Sequence, residues 1–477
     1  MASRYEPWAI RDFSEGMVDR VDDTKLPENA AKDCRNWISR YIGRMEKRRG
    51  QKRLNSGSPL PGSVMGMHAY YEDQNRHLVV ASGGGIYVWN HDSKTFNAIK
   101  TGWVAFQPVC FETCANYMVA FNGVNTPIKW DGITASDLLN APIKGQFPTL
   151  YKEKLFVVPK DHPSELWWSE SFQPEEWPPD YYWRVKDGDG DVITCLLHLY
   201  DDLIVFKGRS IHIFRGNSID DFSLYELEPN IGCAGPRAAT AYLNKVYFVS
   251  EEGLFEFNGV KAVNISDERI PRLWTKINTQ ALKNAAAVAW DGWIWFALPY
   301  GESTVNNLVI LFNPITRSFW PMDGINASCF QIFNNGTTLS LYSGDTSAGY
   351  VIQQDVGTED FEGDADETPV SAYWEGRGYD QGYPEHEKTA KRVYVEDAPE
   401  TESPAVVELS ANYGEFHQLA YRRSNGLIRV YKVPKELRKW NYITPKISHS
   451  EAGPCEIRGL MVRHKVKGKP KIREVQQ

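Results

Sequence analysis

One phrase recurs seven times along this chain: an apolar strand, a short polar turn, and a second, strongly apolar strand. The copies span residues 70–82, 112–121, 149–158, 198–206, 241–249, 289–297 and 332–344. With Asp73, Asn116, Glu153, Asp201, Asn244, Asp291 and Asn335 as turn markers, successive spacings are 43, 37, 48, 43, 47 and 44 residues. A strand-built period of roughly 40–50 residues is the mark of propeller blades. Each copy is followed by a second hairpin-like pair, at 85–96, 126–135, 165–177, 210–222, 253–263, 308–320 and 349–361. Most of these centre on Asn, Asp, Gly or Pro, residues whose backbone or side chain favours a tight turn. Two hairpins make a four-stranded unit with two apolar faces. Such a unit is stable only when stacked against its neighbours, which predicts an all-β, seven-bladed β-propeller.

Bulky side chains crowd these strands: Trp167, Trp168, Trp290, Trp293, Trp295, Phe248, Phe255 and Phe257. Aromatic residues suit a packed, pleated surface, so they read as packing between blades, with sugar stacking as the minority alternative.

Three regions follow from the pattern. Residues 1–60 form an N-terminal extension, with a helix expected over 27–38 because Leu26-Pro27-Glu28 resembles a helix entry. A basic cluster follows it, comprising Arg35, Arg40, Arg44, Lys47, Arg48, Arg49, Lys52 and Arg53. It reads either as a solvated face or as a docking arm, with Trp37, Arg40, Arg44, Arg48 and Arg49 as the candidate contact residues. On the docking reading, removing residues 1–55 should leave the blades folded and block assembly. Residues 61–380 hold the blades, with an insertion at 178–191 and an acidic, exposed loop over 355–367. Residues 381–477 break the period. Strands are expected at 391–397, 405–412, 428–434 and 459–467, forming a small antiparallel β domain or partly closing the propeller. The chain ends basic, with Arg463, His464, Lys465, Lys467, Lys469, Lys471 and Arg473, either solvated or meeting an acidic partner.

Composition narrows the chemistry. The formal charge of −8 over 477 residues argues against a dedicated nucleic-acid binder. Seven scattered cysteines, an odd number, suggest reduced structural thiols in a protein made in cytoplasm. The N-terminus has no apolar signal core, and no run approaches a membrane span. Asp187, Asp189 and Asp191 in an Asp-Gly-Asp-Gly-Asp run are the best metal candidates. Val192 and His198 stand where an EF-hand loop needs Gly and Glu, leaving only a looser Ca²⁺ loop open. No nucleophile elbow, zinc-protease helix or phosphate loop is present in the sequence. No catalytic residue and no cofactor are therefore assigned, although paired carboxylates on a propeller keep a glycan-hydrolysing or carbohydrate-binding protein as the alternative. The Ser-x-Asp box of sialidases, the WD cadence and the kelch double glycine do not repeat, which also counts against a cellular WD-type scaffold.

Four passages carry a family resemblance: FSEGMVDRVDDTKLPENAAKDCRNWI…GRMEKRRG near the N-terminus, LWWSESFQPEEW, LIVFKGRSIHIFRGN, and GCAGPRAATAYLNKVYFVSEEGLFEFNG. In this order they resemble the β-propeller tail hub or nozzle proteins of short-tailed bacteriophages, also called packaged-DNA stabilisation proteins. The resemblance covers most of residues 10–380. It implies a non-enzymatic structural protein of the virion tail, synthesised in the host cytoplasm. It further implies a ring, usually of six copies, beneath the portal and adaptor. That ring extends the DNA channel, helps retain the packaged genome, passes genomic DNA without sequence specificity, and docks fibres or spikes and a plug or needle.

Overall fold

The computed structural model describes residues 6–72, 74–401 and 403–467. The turn marker Asp73 and the basic residues Lys469, Lys471 and Arg473 lie outside them. The chain is all-β. Its helical content among the described residues is one four-residue α-helix, Pro271–Trp274, and short 3₁₀ turns.

Seven sheets built on antiparallel meanders follow one another along the chain, the sixth and seventh also carrying short parallel pairs. The first five are four-stranded meanders, and strands neighbouring in sequence are hydrogen-bonded neighbours in the sheet. The first sheet runs Val64–Glu72, Asn75–Ser82, Gly85–Asn90 and Thr95–Lys100. The others open on Cys110–Cys114, Gly145–Tyr151, Ile193–Leu199, Ala239–Tyr242, Ala286–Trp290 and Ala327–Asn334. Each recurring phrase is the first hairpin of one sheet. In several of them both turn residues have positive φ: Ala115 and Asn116, Lys152 and Glu153, Leu243 and Asn244, Asp291 and Gly292. This is the backbone of the two-residue turn whose twist matches that of the flanking strands. The second strands are the most buried, as in Leu155, Phe156, Val157 and Val158 at 0–1% exposure.

The opening strands of consecutive sheets lie against one another, from the first sheet through to the seventh, and the seventh touches the first. The approach is close at Gly66, where a Cβ would meet the Val109 carbonyl oxygen at 2.1 Å. Arg237, just before the fifth sheet, donates from Nη1 to the Met65 carbonyl of the first at 2.8 Å.

The N-terminal segment departs from expectation. Residues 27–38 form no helix; they hold the short strands Ala30–Ala31, Asp33–Arg35 and Trp37–Ile38. Leu26, Ala30, Cys34, Trp37 and Ile38 are buried at a spacing that mimics one helical face. They are buried because different sheets enclose them. Gly16–Met17 and Ala30–Ala31 extend the sixth sheet, beyond Phe319–Asp323. Gln51–Arg53 supplies the fourth strand of the seventh sheet, against Val351–Gln354. It stands between the two halves of the hairpin expected at 349–361, and Glu359–Asp360 pairs with its far side. Gly50 permits this crossing: a Cβ there would lie 1.7 Å from the Glu359 carbonyl oxygen. Two further expectations are corrected. Tyr182–Arg184, inside the predicted insertion, is the fourth strand of the third sheet. The acidic stretch 355–367 contributes the strand Glu359–Asp360 and pairs with arginines rather than standing free.

The C-terminal region forms two larger sheets, and all four strands expected there are present. One sheet orders Asp33–Arg35, Ala372–Glu375, Ile443–His449, Val406–Ala411 and His417–Gln418. The other orders Ala420–Asn425, Ile428–Lys432, Lys388–Asp397, Glu456–Val466, Met45–Lys47 and Trp37–Ile38, with Glu6–Ile10 also on Glu456–Val466. Ala372–Glu375 joins this region although the period places it before residue 381. Trp374, Trp440, Val393 and Leu460 share one continuous core with Trp37 and with Trp320 of the sixth sheet.

Candidate interaction site

The five candidate docking residues lie where the N-terminal segment crosses between the seventh sheet and the C-terminal sheets. Trp37 is fully buried, paired with Lys47 across a two-strand ladder, so its indole is core rather than contact surface. Arg40 joins three acids: Glu46 at 2.7 Å, Asp291 at 2.7 Å, and Asp355. Arg44 donates to Glu456 at 2.8 Å and lies over the Tyr41 ring at 4.0 Å. Arg48 is 6% exposed and grips Asp360 with both terminal nitrogens, at 2.8 and 2.6 Å. Its remaining donors reach Asn36 Oδ1 at 3.0 Å and the Asp323 carbonyl at 3.0 Å. Arg49 is the most open of the five, 3.9 Å from Asp355. Arg53 continues the series, with Asp366 at 2.6 Å and Phe361 under its guanidinium at 4.0 Å. The basic cluster is thus largely a seam within one chain, matched by the acids of the predicted loop.

Asn36 organises this seam and was missed from sequence. It sits at φ +60°, a conformation Asn tolerates better than most residues. Its side chain donates to the Ser371 carbonyl at 2.7 Å and accepts from the Asp323 amide at 2.9 Å. One amide therefore ties the segment to the sixth sheet and to the start of the C-terminal region. Its only sequence signal is its place between Arg35 and Trp37. Burial raises the carboxyl of Asp323 above the ordinary range, opposed by Arg35 at 3.3 Å.

His449 marks the C-terminal side of the seam. Lys47 Nζ is 3.3 Å from Nδ1, and Ser403 Oγ is 2.7 Å from Nε2. Burial pushes the imidazole down to about 4, with Lys47 and Arg429 adding to the effect. The ring is therefore neutral in the folded chain. Its contribution is complete above the unfolded value of 6.5 and is lost as pH falls from there toward 4. Between pH 7 and pH 5 the loss is about 2 kcal/mol. Urea midpoints of wild type and His449→Gln at the two pH values check this: the variant should lose less on acidification by that amount. An identical pH response in both proteins counts against it.

The metal candidates are engaged otherwise. Asp189 Oδ1 meets Lys207 Nζ at 2.7 Å, and Lys207 is fully buried, its other acceptors being the carbonyls of Val185 and Lys186. Asp191 accepts from the amides of Val192, Gly208 and Arg209 at 2.8–3.0 Å. Asp187 is exposed. Among the described residues no group of three or more His, Cys, Asp or Glu side chains is placed to hold a metal ion. Millimolar Ca²⁺ is accordingly expected to leave the melting temperature within about 1 °C of its value in chelator, since only binding to the folded state raises it. A rise of several degrees would restore the Ca²⁺ loop.

A further concave feature lies elsewhere. A cavity of about 400 Å³ opens where the ends of several sheets converge, lined by Phe106, Phe121, Phe147, Gln107, Gln146 and Lys283 among others. Phe106 and Phe147 both have positive φ, and Phe106 is 71% exposed. No carboxylate among the described residues lines this cavity. All seven cysteines are free. No helix among the described residues is long and apolar enough to cross a membrane. No protein-family model matches this chain, and a search of curated proteins found no match.

Proposed function

We propose that this chain is a structural virion protein, the tail hub or nozzle of a short-tailed phage, and that its seven sheets are the blades of a β-propeller. The contacts between successive opening strands, returning from the seventh sheet to the first, support the propeller reading. On it, Gln51–Arg53 closes the ring by completing the last blade. One observation carries the functional reading. The N-terminal passage that resembles the family is the segment that stitches the sheets to the C-terminal region: Arg48 pairs with Asp360 of the seventh sheet, while Arg44 pairs with Glu456 and Met45–Lys47 lies on Glu456–Val466. The feature that suggested a tail protein is thus the feature that makes the chain one stiff body, as a conduit under pressure requires. Copies of this body form a ring, six by the family's habit, below portal and adaptor, passing DNA and presenting fibres, spikes and a plug. No catalytic step is assigned. Light scattering on the chromatographed mixture of this chain with its adaptor ring tests the reading. A complex of about six copies per ring is expected; a chain that never joins a ring would sink it.

The cavity favours a second reading, a carbohydrate-binding propeller. Phenylalanine rings beside Gln107 and Gln146 suit the apolar face and hydroxyls of a sugar. Among the described residues the cavity has no carboxylate to serve as acid or base, so the reading is of binding rather than hydrolysis. A glycan array decides it, and a blank array removes it.

A further inference from the structure

The outward face of the larger C-terminal sheet carries a concentration of positive charge. Residues 381–477 hold 18 Lys and Arg against 12 Asp and Glu, a net +6, while residues 1–380 hold 35 against 49, a net −14. The excess gathers in two adjoining hollows. One, of about 480 Å³, is lined by Lys391, Arg392, Arg422, Arg423, Lys432 and Arg438. The other, of about 270 Å³, shares Lys391 and Arg392 and adds Arg463 and Tyr394. Ion pairs in this region use other residues: Arg429 with Asp397, Lys446 with Glu408, Arg458 with Glu456, and Lys467 with Glu387. None of the seven cations of the hollows pairs with a carboxylate among the described residues. Arg438 Nε is in addition buried and meets no acceptor among the described residues.

The ladder makes this costly. Arg392 stands directly opposite Lys432. Like charges at opposed positions on neighbouring strands are destabilising. Two bulges add to the crowding. The register between Lys388–Asp397 and Glu456–Val466 slips between Ala390 and Val393, placing Lys391 and Arg392 together beside Arg463. The register of Ala420–Asn425 slips between Tyr421 and Arg423, adding Arg422. Bulges re-aim side chains, and here each one brings a further cation to the row. Four adjacent strands take part, so the row is about 14 Å wide.

We propose that this face binds the phosphate backbone of duplex DNA, without regard to sequence. Charge density selects this partner. A duplex carries one phosphate charge per roughly 1.7 Å of axis, or about eight over the width of the row, against seven cations. The densest acidic stretch of a second copy, 355–367, already commits Asp355, Asp360, Asp364 and Asp366 to arginines of its own chain. A bilayer surface fits less well, because the apolar hairpin tip at Leu427 and Ile428 has the exposed Glu396 directly opposite Ile428. Arginine, five of the seven, suits phosphate through its forked donors. The inference assigns a gripping surface away from the seven sheets, and it stands whether or not the chain belongs to a tail.

Fluorescence anisotropy of a labelled 20-base-pair duplex with the full chain tests it. Affinity should fall linearly with salt on logarithmic axes, roughly 500-fold between 50 and 200 mM if five phosphates are neutralised. The double variant R422E/R423E lies on an exposed edge strand, and circular dichroism checks that it folds. It should bind at least tenfold more weakly, with a salt slope shallower by about 2. Lys160→Glu, just past the strand Lys154–Pro159 of the third sheet, should bind as wild type. A chain ending at Lys467 should keep most of the affinity. No binding at 50 mM salt overturns the proposal, as does an unchanged slope in the double variant or binding that vanishes with residues 468–477. So does a preference for anionic phosphatidylglycerol vesicles over duplex, or salt-sensitive self-association that the double variant abolishes while DNA binding persists.

Discussion

A chain that begins at residue 56 is expected to be unfolded or insoluble. This reverses the expectation of a dispensable arm. Between Phe13 and Met45 the segment buries Phe13, Met17, Ala31, Cys34, Trp37, Ile38 and Met45, each at 5% exposure or less. Burying a large apolar side chain contributes about 1.5–3 kcal/mol, so the group contributes roughly 10 kcal/mol. A domain's whole stability is about 5–15 kcal/mol. The loss also strips hydrogen-bond partners from Val351–Gln354, Ala372–Glu375 and Glu456–Val466, leaving open edges that invite aggregation. Soluble yield and near-ultraviolet circular dichroism of residues 56–477 measure this. A soluble protein with intact aromatic signals and a single sharp melting transition would show that the segment is only an attachment. Recovery of the fold on adding residues 6–55 as a separate peptide would support the woven architecture.

Arg48→Ala is expected to cost about 3–5 kcal/mol, the range for breaking a buried pair and stranding one charge. Both partners are buried, Arg48 at 6% and Asp360 at 8% exposure. The two-pronged geometry makes Lys a poor substitute, since one ammonium cannot satisfy both carboxylate oxygens together with Asn36 and the Asp323 carbonyl. Arg48→Lys should therefore recover only part of the loss. The double variant Arg48→Met with Asp360→Leu should be closer to wild type than Arg48→Ala, because removing both charges leaves neither unpaired. Urea unfolding of the three variants gives the comparison. A loss under 1 kcal/mol in Arg48→Ala would place this pair among ordinary surface bridges.

Much of the fold was legible because its signals are local. Turn residues such as Asn116, Glu153, Asn244 and Asp291 sit between strands that pair with each other, so periodicity and turn chemistry point to the same hairpins. The C-terminal strands were legible for the same reason. The N-terminal segment was not. Its buried residues fall at helical spacing, but they face several sheets, and a burial pattern alone does not tell one enclosing surface from another. The arginines of the seam were picked out as a cluster, but their partners were not. Arg48 meets Asp360 across 312 residues and Arg53 meets Asp366 across 313, separations at which no spacing rule operates. Lys207, buried against Asp189, turned a metal candidate into a structural pair.

The sequence by itself determined that the chain is built of short antiparallel meanders with a period near 44 residues, because hairpin pairing depends on neighbours a few residues away. Tertiary structure alone decided that Gln51–Arg53 completes the seventh sheet, that Asn36 and Arg48 lock the N-terminal segment to the sixth and seventh sheets, and that seven cations gather at two adjoining hollows of the C-terminal region. Those outcomes depend on which distant strands meet, and the free energy that selects them is the burial of shared surface, which no single stretch of residues contains.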